Sequence, residues 1–276
     1  MRKLTLLFLT LLAPLAAAEI KLPQVSPSIR VEHAVGVSRL EVRYHRPAVK
    51  GRAIWGELVP YGKVWRLGAN NATTLTLSHP AKVNGHDVPA GQYALFAIPA
   101  ADRWTLILNK KAEQWGAYFH DAKEDLLRFD VKPQAAEHAE WFSIDVTPAS
   151  DRVLEAAIRW EKIRVPFTIE FDTPGIVWKN IESELASPAA TWESWHNAAR
   201  YAWQNGQRLN DALTWIDKAN AMKESFWNYE LKALILRKLG RTEEARPLMA
   251  KAKELAAGKA PKEYLEGIDR EVASWR

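Results

Sequence analysis

Between residues 29 and 171 apolar side chains recur at every second position. Ile29, Val31 and His33 alternate with Arg30 and Glu32, and Leu40, Val42 and Tyr44 alternate with Arg39, Glu41 and Arg43. Leu75 and Leu77, Leu127 to Val131, Phe142 to Val146, Leu154 to Trp160 and Phe167 to Phe171 repeat the pattern. Strict alternation predicts strands with one solvated face, the habit of antiparallel sheets. Residues 93–98 and 104–109 are apolar almost throughout and predict central strands, with 99–103 as their hairpin loop. Asn84-Gly85 predicts a turn, because both residues tolerate positive φ. About nine short strands at this spacing predict an antiparallel β-sandwich or jelly-roll-like domain.

After Pro174 and Gly175 the period changes to 3.6. Ser187-Pro188 reads as an N-cap followed by proline at the first helical position, opening a helix that Gly206 stops. Further helices are predicted over 211–222, over 226–239, from Thr242 through 257, and from Pro261 to 275. Gly206 and Gly240 lie 34 residues apart, as do Trp195 and Tyr229, and Ala199 and Ala233. That spacing resembles two tetratricopeptide repeats; Pro247 and the Leu209-Asn210 insertion depart from their consensus. The fold class is therefore α+β: the sandwich over residues 19–173, then a tetratricopeptide-like hairpin array over 174–276.

The first residues change the picture of compartment. Arg2 and Lys3 precede an apolar run over 4–15, and Ala16-Ala17-Ala18 supplies small residues before Glu19. This three-part pattern predicts a signal peptide over residues 1–18 and a bacterial protein that is periplasmic or secreted after cleavage near Ala18. The run is too short to span a bilayer, and no later stretch is apolar enough to do so. The 276 residues contain no Cys, which excludes disulfides, thiolate metal sites and thiol nucleophiles. A net charge of +5 is too mild for a nucleic-acid-coating protein.

The densest chemistry lies between Tyr44 and Thr73. Residues 39–66 hold seven Lys or Arg against two Glu. The run Arg46-Pro-x-x-Lys-Gly-Arg is followed by Trp55-Gly-x-Leu-Val-Pro-Tyr-Gly-Lys-Val-Trp-Arg-x-Gly-Ala-Asn. Pro89-Ala-Gly-Gln-Tyr and Gln114-Trp-Gly-Ala-Tyr come later. Together these motifs resemble the bacterial domain-of-unknown-function family 2911, over roughly residues 26–172. The resemblance implies an exported protein with a β-rich domain often followed by helices, and it transfers no catalytic residue.

Two readings of the cations Arg46, Lys50, Arg52, Lys63 and Arg66 stay open. They bind an anion, since a guanidinium matches carboxylate or phosphate with a planar fork, or they staple the loop to neighbours such as Glu41 and Glu57. Arg46, fixed beside Pro47 at a strand end, is expected to be structural, with Lys50 and Arg52 facing the ligand. The aromatics Trp55, Tyr61, Trp65, Trp115 and Tyr118 are either core or platforms for sugar rings. The expected ligand-binding set is Lys50, Arg52, Trp55, Tyr61, Lys63, Arg66, Trp115 and Tyr118. The His spacing fits no metal site, and His120 with Asp121, Glu124 and Asp125 reads as an acidic turn. No nucleophile motif or phosphate loop is present. A non-enzymatic binding module for an anionic or glycan ligand is therefore expected, without cofactor or metal. The alternatives are an envelope scaffold that grips a protein partner through the helical tail, and a hydrolase or lyase on an envelope glycan.

Overall fold

The computed structural model describes residues 23–275, so the predicted signal peptide lies outside the described residues. The chain is α+β and divides into two compact units, the first ending at Phe171 and the second beginning at Asp172. The first unit contains strands β1 (Ser28–Val35), β2 (Ser38–His45), β3 (Thr73–Leu77), β4 (Ala81–Val83), β5 (His86–Val88), β6 (Gly91–Ile98), β7 (Trp104–Asn109), β8 (Asp125–Val131), β9 (Gln134–Pro148) and β10 (Val153–Phe171). One antiparallel sheet has the order β1-β2-β3-β6-β7-β8 and a second has the order β5-β4-β10-β9.

The alternation in sequence becomes alternation in burial. On β2 Leu40, Val42 and Tyr44 are buried, while Arg39 and Arg43 face water. Arg30 of the edge strand β1 reaches across to Glu41, 2.6 Å away, so the solvated face of this edge is charged. The inner side chains of the two sheets meet: the Tyr44 ring stands edge-on to Phe142, and Phe129 lies against Phe167. β6 and β7 are buried over nearly their whole length, as their continuous apolar runs require.

β10 is longer than the sequence pattern suggests. It runs through Pro166 and joins the two alternating stretches, 154–160 and 167–171, into one strand. Its ladder with β9 ends at Arg164 and its ladder with β4 begins at Ile169. Pro166 sits between them, where a missing N–H breaks no rung.

The second unit is helical: α1 (Thr173–Ala186), α2 (Trp192–Asn205), α3 (Leu209–Met222), α4 (Phe226–Lys238), α5 (Thr242–Ala256) and α6 (Lys262–Ala273). Here the structure corrects the expected helix start at Ser187-Pro188. Ser187 caps the C-terminus of α1, and α2 begins after Thr191, whose side chain accepts from the Ser194 N–H. The segment Asp172-Thr-Pro-Gly is a helix start: the Asp172 carboxylate accepts from the Gly175 N–H, and the proline fills the first turn. Ala198, Ala199 and Ala202 of α2 and Ala212 and Ala219 of α3 let these helices approach closely around Trp215, Ile216, Leu231 and Ile235. A second cluster joins Ala233 and Leu236 to Met249, Ala252, Ile268 and Trp275. No helix among the described residues is long and apolar enough to cross a membrane.

Candidate functional site

The long connection between β2 and β3 is pinned at both ends. Val49 N–H donates to the Glu140 carbonyl and Phe142 N–H to the Pro47 carbonyl, tying its start to β9. Trp65 and Ala97 exchange backbone hydrogen bonds of 2.7 and 2.9 Å, tying its end to β6. Between these anchors Lys50 and Gly51 both have positive φ, and Arg52 N–H closes the turn onto the Val49 carbonyl. This is the pattern of a type I′ turn, and it sets Lys50 and Arg52 on either side of the glycine.

A cavity of about 370 Å³ opens beside this loop. Lys50, Arg52 and Arg66 line it with Trp65 and Trp160, and its lining contains no Asp, Glu or His. Its volume falls in the usual range for small-molecule sites. Trp160 and Trp65 are stacked with centroids 5.8 Å apart and planes 13° from parallel. Trp55, Trp104 and Phe142 close around them edge-on.

Each cation is held differently. Arg46 Nε donates to the Phe142 carbonyl at 3.0 Å. Arg52 donates from Nε to the Val49 carbonyl at 3.0 Å and from Nη2 to the Ala48 carbonyl. Those bonds orient its guanidinium and leave its other N–H groups without a protein partner among the described residues. Lys50 gives its backbone N–H to Glu140 Oε1 at 2.8 Å. That bond, helped by His138 and by the charge of Arg52, holds the Glu140 carboxyl below its usual range. Glu41 is engaged instead by Arg30 and Arg43.

Arg66 stands apart. Its Nε is buried without a hydrogen-bond partner, and it forms no ion pair among the described residues. Burial lowers its pKa from the ordinary arginine value, with Tyr118 opposing. Burial, and then the Arg66 charge, push the His45 imidazole down as well. The indole N–H groups of Trp55 and Trp160 are also buried without partners among the described residues. Three buried donors, Arg66 Nε and the two indole N–H groups, thus stand without a partner, and each calls for explanation.

The backbone here is strained. Leu67, fully buried, has φ of 54°, which a branched side chain rarely adopts. Gly68 follows at φ of 130°, and a β-carbon there would lie 2.6 Å from the His45 carbonyl oxygen. Gly68→Ala should therefore destabilise the β unit by about 1–3 kcal/mol. Thermal unfolding beside wild type checks this, and an unchanged midpoint would show that the loop shifts without cost.

The structure thus brings Lys50, Arg52 and Arg66 to one cavity. Trp55 lies in the aromatic cluster beneath it. Tyr61, with its ring against Gly56, and the exposed Lys63 lie on the same connection but outside the lining. Trp115 and Tyr118 are on the loop between β7 and β8, 59% and 78% exposed, and Tyr118 lies close to Arg66. Trp160 was absent from the sequence expectation, because its alternation marks only an inward-facing strand position. Phe119 was also missed, although it directly follows Tyr118. His120 donates from Nε2 to Asp125 Oδ1 at 2.9 Å, in a cluster with Asn109 and Arg128 away from the cavity. Among the described residues no group of three His, Asp or Glu side chains could hold a metal ion.

No curated protein matches the chain. The family model described as a protein of unknown function (DUF2911) matches residues 26–169, just over half of the chain and nearly all of the β unit. The two pinned ends of the connection, the cavity lining from Ser26 to Trp160 and the loop carrying Trp115 and Tyr118 all fall inside the matched segment, and the chain belongs to the DUF2911 family.

Proposed function

We propose that the β unit binds a small anionic ligand, a carboxylate or a phosphate, in the cavity lined by Lys50, Arg52 and Arg66. The observation that carries this reading is Arg66, a half-buried guanidinium with no acidic partner among the described residues, beside a cavity whose described lining has no carboxylate. An anion there would meet oriented donors in a poorly solvated place, where charge-assisted hydrogen bonds are strongest. Isothermal titration of the chain with galacturonate and with inorganic phosphate tests it. At least one should bind, and Arg66→Ala, folded by circular dichroism, should weaken that binding at least tenfold. Absence of binding, or equal binding by the variant, overturns the reading.

The same proposal covers finer points of architecture. We read the two sheets as the layers of an antiparallel β-sandwich over 19–173. We read α2 to α5 as two tetratricopeptide-like hairpins within a tail over 174–276, in a protein exported after cleavage near Ala18. A second role, grip on a protein partner by the tail, is favoured by a groove of about 230 Å³ lined by His196, Arg200, Trp203 and the half-exposed Trp227.

A further inference from the structure

We propose that the loop 115–119 is a stacking ledge beside the anion site, and that the ligand is an acidic saccharide whose carboxylate lies on Arg66 while a neighbouring sugar ring covers the ledge. The proposal rests on the anion-binding reading above and names the ligand class. Trp115, Tyr118 and Phe119 are 59%, 78% and 71% exposed. Single exposed aromatics are ordinary, but three within five residues form a patch that calls for a partner.

The loop carrying them is fixed in place. Trp115 bridges to Asn71, Gly116 N–H donates to the Asn70 carbonyl at 3.1 Å, and His120 N–H donates to the Ala117 carbonyl. Ala117 packs on the cluster around Phe96. The aromatics are thus held outward by a loop that is itself anchored.

The link to the anion site runs through Gly116. A β-carbon at Gly116 would stand 2.8 Å from the Tyr118 ring and 3.7 Å from Arg66 Nη1. Bare backbone at this point, with φ of 66°, lets the ring and the guanidinium flank one spot. An aromatic ledge beside a cation matches a chain of uronic acids, in which one residue offers its carboxylate and the next offers a C–H face. A free phosphate would leave the ledge uncovered. A lipid surface fits less well, because Arg66 is half-buried with its Nε sealed from solvent.

The test is isothermal titration of the chain with galacturonate, trigalacturonate, the neutral trimer cellotriose and inorganic phosphate, with vesicles of phosphatidylglycerol assayed by sedimentation. Trigalacturonate should bind at least tenfold more tightly than galacturonate, and cellotriose should bind more weakly than either. Tyr118→Ala combined with Phe119→Ala should erase that gain, so that the trimer binds no better than the monomer. Both positions are exposed, and circular dichroism should confirm an unchanged fold. If the trimer shows no gain, or the double variant keeps it, the ledge is overturned and anion binding stands. Vesicle binding that the double variant loses, without a trimer gain, would make the partner a lipid. If neither galacturonate nor phosphate binds wild type, the anion site itself fails and the ledge with it.

Discussion

Truncating Trp160 to alanine should lower the stability of the β unit by about 3–5 kcal/mol, the cost of removing a large aromatic from a packed core. Trp160 is 2% exposed, stacks on Trp65, and meets Trp55 and Phe142 edge-on. Its loss empties the centre of that cluster, and the surrounding rings are held by β7, β9 and the pinned β2–β3 connection, which cannot move inward together. A loss of this size is a large part of the 5–15 kcal/mol typical of a domain. Urea unfolding of the chain, followed by near-ultraviolet circular dichroism, measures it. A change below about 1 kcal/mol would mean that the cluster is loosely packed and that the cavity floor is adjustable. Trp160→Phe keeps most of the volume without the indole N–H. Because that N–H has no partner among the described residues, the variant should recover much of the stability.

Asp125→Ala should cost about 3 kcal/mol, the lower end for breaking a buried charged pair, because Arg128 is half-exposed. The Asp125 side chain is 6% exposed and accepts from Asn109 Nδ2, His120 Nε2 and Arg128 Nε. Asn109 is itself fully buried, so deletion takes one of its two acceptors and leaves its amide with the Asp121 carbonyl alone. The same site gives a pH dependence. Burial pushes the Asp125 carboxyl up, but the hydrogen bonds from Asn109, Arg128 and His120 outweigh it and hold the pKa below its ordinary value. A depressed folded-state pKa stabilises the fold above the unfolded value of about 3.9 and ceases to do so as pH falls through the folded value. Stability should therefore fall on acidification below about pH 4, and Asp125→Asn should show a flatter acid limb. Identical acid limbs for wild type and Asp125→Asn would remove this site from the acid response.

The two-residue period of Leu40, Val42 and Tyr44 was enough to place β2 and its buried face, because one side of that strand meets water and the other does not. Where both faces are wet the signal vanishes. Residues 134–140 of β9 are mostly exposed and show no alternation, so the strand was longer than its pattern. Around Glu161 the ladder between β9 and β10 shifts register, and a positive φ of 52° there breaks the phase of the period. The first helix was hidden because Asp-Thr-Pro-Gly serves equally as a turn and as a cap with proline in the first turn. The cations of the candidate site were legible as composition, since Lys50, Arg52 and Arg66 lie close in sequence. Their division of labour was not. Which guanidinium meets a carbonyl and which meets nothing is decided by Ala48, Val49 and Phe142 after the chain has folded.

The order of strands has a consequence for how the β unit is made. In the larger sheet most neighbours are also neighbours in sequence, and only β3 and β6 meet across the short β4–β5 hairpin. Apart from the long β2–β3 connection its contacts close modest loops, which keeps the entropy of assembly low and the search fast. The smaller sheet has no such option. β4 and β9 are joined only through β10, so the β4–β5 hairpin waits on a strand whose pairing residues are more than eighty positions further along. The larger sheet can therefore assemble while the chain is still being synthesised. The inner surface it presents, from Leu40 to Leu106, stays uncovered until β9 and β10 arrive. The floor of the cavity is laid in that last step, because Trp160 comes with it.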